Sequence, residues 1–273
     1  MSKTILIPTD FSKVCDNAIN HGAEIAKNIG AKIIIAHIIN SDSLLFLKGN
    51  SLNPSYVDDQ LADIKFQLEK VYQIPVQTVV KKGKILNSIA SLSREMQADL
   101  ILLGTHGKTG IQKITGSHAE KLIQAVDIPV LVVQKRTFGM GYRKIVFPIN
   151  VSTDYNTKID WTIFIASTFK AEVLIFTMNT QNKAIEKSMN HLVMNIISKF
   201  DAHKIVCHIS QAEKNKEFAK QINDFAVSNS ADLIMIKVDN DEYEPSFIHG
   251  APEEKMIFNS SQIPVFCAQN KLN

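Results

Sequence analysis

An internal repeat constrains the fold of this 273-residue chain more than any other feature of its sequence. KTILIPTDFS at 3–12 resembles RKIVFPINVS at 143–152, and ADLILLG at 98–104 resembles ADLIMIK at 231–237. DIPVLVVQK at 127–135 resembles QIPVFCAQN at 262–270. The three matches keep their order at offsets of 140, 133 and 135 residues, which chance does not readily produce. We therefore infer two copies of one domain, 1–135 and 143–273, joined by a connector that contains two glycines.

Each copy alternates buried-strand runs with helical patterns. In the first copy, Ser12 can cap a helix whose apolar residues, among them Val14 and Ala18, recur at spacings of three and four, and Gly30 can end it. Strands that are apolar throughout and separated by helices are typical of a parallel sheet covered on both faces. With right-handed crossovers, the chain is predicted to be α/β, with two doubly wound open parallel five-stranded sheets in the order 3-2-1-4-5.

One connection in the first copy is unusually long. The stretch SDSLLFLKGNSLNPS at 41–55 exceeds the ordinary length of a link between a strand and a helix. We interpret it as a loop, which could be a lid over the ligand crevice, an interface, or a loop that packs its own leucines.

Composition excludes several classes of protein. Thirty Lys and Arg against 27 Asp and Glu give a net charge of +3, without the basic stripe of a nucleic-acid binder. No apolar run approaches the length of a membrane span, and the N-terminus does not resemble a signal peptide. Cys15, Cys207 and Cys267 are too far apart for a metal motif or a disulfide framework. We expect a cytoplasmic protein that binds neither nucleic acid nor membrane.

The candidate ligand site lies where two strands end. In doubly wound sheets, ligands bind beyond the carboxyl ends of the strands, at the point where strand order reverses. The first strand ends in Pro8, Thr9 and Asp10, and the fourth ends in Gly104, which opens the stretch GTHGKTGIQKITGS. In the predicted order these strands are neighbours. The glycine-rich backbone, with a helix starting near Ser117, suits a phosphate group.

Two well-known phosphate-binding patterns do not fit this stretch. The dinucleotide fingerprint GxGxxG fails because Thr105 and His106 follow Gly104, and it belongs after the first strand. LLGTHGKT ends like a P-loop, but Leu102 stands where the first glycine should be.

The sequence resembles the universal stress protein family over nearly its whole length, as a tandem two-domain member. The resemblance rests on Pro8-Thr9-Asp10, His37, ADLILLGTHGKTG, Gly116-Ser117 and IPVLVV. It implies binding of ATP, ADP or AMP, with Mg²⁺ accompanying a triphosphate. The family pattern is Gly, two residues, Gly, nine residues, then Gly-Ser or Gly-Thr. Here the second gap, 108–115, is one residue short, which leaves open whether the loop holds a γ-phosphate.

The resemblance also implies a role for each site residue. Asp10 would bond the adenine edge, Pro8, Thr9 and Ile38 would line the base and ribose, and the glycines would hold the ribose and phosphates. The predicted binding residues are Pro8, Thr9, Asp10, Ile38, Gly104, Gly107, Lys108, Gly116, Ser117 and His118.

The second copy lacks this signature. Asn150 stands at the place of Asp10, Lys237 at that of Gly104, and four of the eight residues from Lys237 to Glu244 are acidic. An acidic loop repels phosphate, so we predict one ligand per chain, in the first domain. Family members commonly pair through the fifth strand. The resemblance therefore implies that the two copies form an intrachain pseudo-dimer, with a homodimer as a further option.

The residues show no nucleophile, metal set or paired carboxylates typical of a catalytic site. We expect an adenine-nucleotide-binding stress-response regulator that acts through an unidentified protein partner and is at most a slow ATPase. The alternatives are a nucleotide-independent interaction or assembly module, and a weak ATPase.

Overall fold

A computed structural model describes residues 3–53, 55–105, 116–150, 155–238 and 259–269, with only the backbone described for 116–118. The chain divides into two compact units, 1–138 and 139–273. Each unit is an α/β domain, as the alternating sequence pattern predicts.

The first unit contains five described strands and five helices. In chain order they are β1 (Thr4–Pro8), α1 (Lys13–Ile29), β2 (Lys32–Ile39), α2 (Ser41–Gly49), α3 (Tyr56–Tyr72), β3 (Val76–Lys82), α4 (Ile85–Glu95), β4 (Leu100–Gly104), α5 (Gly116–Ala125) and β5 (Val130–Val133).

The strands of the first unit form a parallel sheet in the order β3-β2-β1-β4-β5. Every residue of β1, β4 and β5 is buried, because helices cover both faces of the sheet. The predicted fold class and strand order are confirmed. The order reverses between β1 and β4, so the carboxyl ends of these strands meet at the switch point.

Helix α1 follows β1 directly and begins and ends as the sequence predicts. The Ser12 side chain accepts a hydrogen bond from the Cys15 N–H, and Gly30 ends the helix in the left-handed region at φ 66°. Val14 and Ala18 lie on its buried face. The first turn of α1 is thereby held beside the carboxyl end of β1.

The long connection after β2 differs from the loop that we expected. It contains helix α2, which begins with a capping box between Asn40 and Ser43. Leu44, Leu45 and Phe46 are 52%, 68% and 45% exposed, so these side chains do not pack together as a small core.

The second unit repeats the plan without counterparts of α2 and α5 among its described residues. Its elements are β6 (Lys144–Ile149), α6 (Asn156–Phe169), β7 (Glu172–Thr177), α7 (Lys183–Ala202), β8 (Cys207–Gln211), α8 (Phe218–Ser228), β9 (Leu233–Val238) and β10 (Val265–Gln269). The strand order is β8-β7-β6-β9-β10, with every pair parallel. Its switch point lies between β6 and β9, at the counterparts of β1 and β4.

Candidate functional site

The turn between β1 and α1 is fixed by its own side chains. The Thr9 hydroxyl oxygen accepts a hydrogen bond from the Phe11 N–H at 3.0 Å, and Asp10 Oδ1 accepts one from the Ser12 N–H at 3.0 Å. Phe11 lies in the left-handed region at φ 62°, where a bulky side chain is rare. These bonds hold the Asp10 carboxylate at the edge of the sheet.

The neighbouring strand β2 supports this turn through His37. Its Nδ1 donates to the Thr9 carbonyl at 2.9 Å, and its ring stacks on Phe11 with centroids 4.6 Å apart. Burial lowers the pKa of His37, although the Thr9 carbonyl and the Asp10 carboxylate act in the opposite direction. A neutral imidazole therefore joins the ends of β1 and β2.

Ile38, which follows His37 in β2, is a predicted site residue. Its side chain is buried, and its carbonyl accepts a hydrogen bond from the Ser43 hydroxyl at 3.2 Å. This bond attaches the beginning of α2 to the end of β2. Thr9 is also buried, and its N–H donates to the Ala36 carbonyl at 2.8 Å.

Cys15 belongs to the site, although we did not predict it from the sequence. Its Sγ donates to Asp10 Oδ1 at 3.1 Å, and the side chain is 2% exposed. Burial, followed by the negative charge of Asp10, raises the pKa of the thiol to about 12. The group therefore remains protonated and is a hydrogen-bond donor at neutral pH. The only sequence signal is its place in the first turn of α1, where a cysteine also fits as an apolar core residue.

Gly104 ends β4 directly against the first turn of α1. A Cβ at this position would lie 2.8 Å from the Val14 carbonyl oxygen and 3.0 Å from the Cys15 nitrogen. Both are backbone atoms of a helix, so they cannot move aside cheaply. Gly104 is thus needed for packing, a role that the sequence alone did not indicate.

Thr105 follows Gly104 and carries an unsatisfied hydroxyl. The residue is 1% exposed, and its N–H donates to the Val133 carbonyl at 3.0 Å. Its Oγ1 has no hydrogen-bond partner in the part of the chain that the structure describes. A buried hydroxyl without a partner is unfavourable, so this atom is suited to a ligand at the carboxyl end of β4.

The remaining predicted residues belong to the glycine-rich stretch. Gly107 and Lys108 lie outside the described residues. Gly116, Ser117 and His118 form the beginning of α5, where only the backbone is described. The structure thus brings together Pro8, Thr9, Asp10 and Gly104 at the switch point, with Ile38 on the adjacent strand.

Within the described ranges, no helix is long and apolar enough to cross a membrane. The same residues contain no group of three or more His, Cys, Asp or Glu that could hold a metal ion.

Comparison with known proteins decides the family. The model described as "Universal stress protein family" matches residues 1–134. A universal stress protein of Methanocaldococcus jannaschii is 32% identical over 141 residues, which cover 49% of this chain and 82% of that protein. This chain belongs to the universal stress protein family. A second universal stress protein of the same organism is 28% identical over 158 residues and is covered to 97%.

Solved structures extend the likeness in fold to both units. A universal stress protein from Archaeoglobus fulgidus has a TM-score of 0.76 at 18% identity, with 98% of this chain and 99% of that chain covered. A universal stress protein solved in complex with cAMP is 20% identical over 50% of this chain, with 98% of its own chain covered and a TM-score of 0.38. So low a score supports no comparison of the two sites.

The second unit of this universal stress protein has different residues at the matching positions. Asn150 Oδ1 accepts a hydrogen bond from the Tyr155 hydroxyl, which in turn accepts one from the Asn150 N–H at 2.8 Å. In the repeat alignment Tyr155 matches Cys15, and Asn150 matches Asp10. The amide and the hydroxyl at this switch point thus bond to each other.

Two buried lysines also occupy this region of the second unit. Lys158, which matches Ala18, donates from Nζ to the Pro148 carbonyl and lies 4.0 Å from the Phe147 ring centroid. Lys237, at the place of Gly104, is 8% exposed. Burial, and then the charge of Lys237, lower the pKa of Lys158 well below its usual value. Long side chains therefore replace the small residues of the first unit.

Proposed function

We propose that this universal stress protein binds one adenine nucleotide in its first unit and that the nucleotide is a regulatory ligand. The observation that carries the proposal is the meeting of Asp10 and the Gly104-Thr105 strand end at the switch point. An acceptor for the base and a donor for the sugar or phosphates thus lie on adjacent strands.

The turn after β1 fits the adenine edge. A carboxylate accepts hydrogen bonds, and the 6-amino group of adenine donates them. Asp10 is held by the Ser12 N–H and the Cys15 thiol, so its orientation is set before a ligand arrives. Pro8, Thr9 and Ile38 supply buried surface on the two strands beside it.

The end of β4 fits the ribose and phosphates. Gly104 lets the strand end against α1, and the unsatisfied Thr105 hydroxyl can donate to an oxygen of the ligand. Helix α5 begins at Gly116, and the positive end of a helix favours phosphate. Gly107, Lys108 and Ser117 complete the proposed phosphate contacts. ATP would bring Mg²⁺ with it, since its phosphates can hold the ion.

The second unit supports a single site for the whole chain. Lys158 and Lys237 stand in the second unit where the first unit has Ala18 and Gly104, and Asn150 bonds to Tyr155. We propose that this unit serves assembly or partner binding, and that nucleotide in the first unit changes a surface that a protein partner reads.

The test is thermal unfolding with ATP, ADP, AMP or GTP at concentrations near 100 times the dissociation constant. Bound ligand at that excess adds about 2.7 kcal/mol to the free energy of unfolding and raises the midpoint by several degrees. Adenine nucleotides should stabilise Asp10→Asn by at least about 1.3 kcal/mol less than the wild type at the same concentration, as a tenfold weaker affinity requires. Asn150→Asp, which changes the matching position in the second unit, should respond like the wild type.

Two results would count against the proposal. No stabilisation by any of the four nucleotides would favour a nucleotide-independent interaction module. Equal stabilisation of the wild type and Asp10→Asn would mean that the nucleotide does not bind at the β1 turn. Absorbance at 260 nm in the supernatant of the denatured protein gives an independent check for nucleotide that copurifies.

A further inference from the structure

We propose that Cys15 is a positioning residue whose thiol fixes the Asp10 carboxylate in the orientation that selects adenine over a 6-oxopurine. The inference rests on the proposed nucleotide site and concerns how that site chooses its base. The Cys15 side chain would otherwise be regarded only as part of the apolar face of α1.

The geometry places two donors on one carboxylate oxygen. Asp10 Oδ1 lies 3.1 Å from Cys15 Sγ and 3.0 Å from the Ser12 nitrogen. Two donors that approach the same oxygen from fixed positions restrict rotation of the carboxylate. The Ser12 bond is local to the turn, whereas the Cys15 bond ties the carboxylate to helix α1.

The donor itself is rigidly placed. Cys15 lies in the first turn of α1, and its N–H donates to the Ser12 hydroxyl oxygen at 3.5 Å. Gly104 contacts the Cys15 backbone so closely that a Cβ there would lie 3.0 Å from its Cα. The end of β4 therefore restricts movement of the Cys15 backbone.

The Cys15 thiol is suited to donate a hydrogen bond and unsuited to act as a nucleophile. It is 2% exposed, and burial keeps it protonated at neutral pH. A protonated thiol can donate one hydrogen bond, weaker than that of a hydroxyl. Alanine would fit the same apolar face of α1 without donating to Asp10.

The second unit independently shows the same arrangement of donor and acceptor. Tyr155 occupies the place of Cys15, and its hydroxyl donates to Oδ1 of Asn150, which occupies the place of Asp10. In both units, therefore, the polar side chain at the switch point accepts a hydrogen bond from the side chain five positions later in the sequence.

The consequence for the ligand follows from elementary hydrogen bonding. Adenine presents an amino donor at position 6, whereas hypoxanthine presents a carbonyl oxygen. A carboxylate aimed at this atom bonds the amino group and repels the oxygen. A carboxylate that is free to rotate can turn away from the oxygen, so discrimination between the bases declines.

The experiment compares dissociation constants for ATP and its inosine counterpart ITP by calorimetric titration. Because the sugar and phosphates are identical, their contacts cancel in the ratio of the two constants. The wild type should prefer ATP by about tenfold or more, as one hydrogen bond to a charged group allows. Cys15→Ala should reduce this ratio by about threefold or more, and Cys15→Ser, whose hydroxyl can donate, should restore it to within about twofold.

Cys267→Ala provides the matched control. Cys267 is also buried, so its replacement by alanine removes the same side-chain atom from a packed core. Because Cys267 belongs to the second unit, this variant should keep the wild-type ratio of the two dissociation constants. Circular dichroism at the titration temperature should show every variant folded. If Cys15→Ala does not fold, Cys15→Val, which retains the volume of the side chain without a hydrogen-bond donor, replaces it and should reduce the ratio in the same way.

The possible failures are distinguishable. If the wild type binds neither ligand, the proposed function fails and this inference fails with it. If the wild type prefers ATP and Cys15→Ala weakens both ligands equally, the thiol has only a structural role and the inference alone is overturned. An unchanged ratio in Cys15→Ala overturns it as well.

Discussion

Gly104 and Asp10 each make structural contacts in addition to the role in nucleotide binding that we propose for them. Gly104 contacts the first turn of α1 through the Val14 carbonyl and the Cys15 backbone. Asp10 accepts hydrogen bonds from Ser12 and Cys15 in that same turn. A substitution here therefore acts on stability and on binding, and the two effects need separate measurements.

Gly104→Ala should destabilise the first unit even without nucleotide. The added Cβ would approach backbone atoms to 2.8 Å and 3.0 Å, and overpacking of this kind costs about 1–3 kcal/mol. Scanning calorimetry should show a midpoint lower by about 3–10 °C. Gly49→Ala, at the end of α2 with nothing within 4 Å of the new Cβ, is the control and should leave the midpoint within about 1 °C. Equal midpoints for the two variants would contradict the packing role of Gly104.

The sequence allowed some site residues to be predicted and not others, for physical reasons. Asp10 and Gly104 stand at strand ends where an acid and a glycine are conspicuous against an apolar run. Cys15 is inconspicuous, because its bond to Asp10 depends on the turn that Phe11 makes at positive φ. The Thr105 hydroxyl could not be recognised as unsatisfied until its buried surroundings were known.

At the scale of the elements, the C-terminal ends of the corresponding helices α1 and α6 can be compared directly. Helix α1 ends at Gly30 with φ 66°, and its counterpart α6 ends at Lys170 with φ 52°. Both residues are in the left-handed region, which glycine adopts without strain and lysine does not. Helix α6 therefore has a strained end that its counterpart α1 avoids.

Lys170→Gly should raise the free energy of unfolding of the second unit by about 0.5–1 kcal/mol, because glycine relieves this strain. Gly30→Lys, the reciprocal change, should lower that of the first unit by a similar amount. Both residues are exposed, so packing contributes little to either change. Urea unfolding followed by circular dichroism gives the free energies, and a stabilising effect of Gly30→Lys would refute the explanation.

Most elements were predictable from periodicity, and α2 was not. Apolar strand runs and spacings of three and four fixed β1, α1 and their counterparts. In α2, the apolar residues Leu44, Leu45 and Phe46 are consecutive and all exposed. They therefore do not show the spacing of three and four that predicts one buried face of a helix. The beginning of α2 depends on the capping box of Asn40 and Ser43, which is easily overlooked in a polar connection.

At the scale of the whole molecule, the two units have diverged at the same place. The first keeps small residues around its switch point, whereas the second has Lys158 and Lys237 there. The substitutions were visible in the sequence. The burial of Lys158, and its single described hydrogen bond to the Pro148 carbonyl, required the packing of β6 against α6.

Lys158→Met should change how stability depends on pH. The folded pKa of Lys158 lies well below its unfolded value of 10.5, so the unfolded chain binds more protons between the two values. The contribution of this lysine to stability is full above pH 10.5 and is lost as pH falls towards the folded pKa. The free energy of unfolding of the variant, relative to wild type, should therefore decline as pH rises from neutral towards 10.5.

Lys187→Met, at an exposed position of α7, is the control for the removal of a lysine that is not buried. Denaturant unfolding at a series of pH values measures the difference of each variant from wild type. A constant difference for Lys158→Met would mean that this amine titrates alike in the folded and unfolded chain.

The central claim is that one adenine nucleotide binds per chain, in the first unit. Calorimetric titration of the full chain with ATP measures the stoichiometry directly. The account predicts one site for the wild type and for Asn150→Asp, and binding weakened at least about tenfold in Asp10→Asn, which loses a charged hydrogen-bond acceptor. Two equivalent sites in the wild type, or one site that Asp10→Asn leaves unchanged, would contradict it.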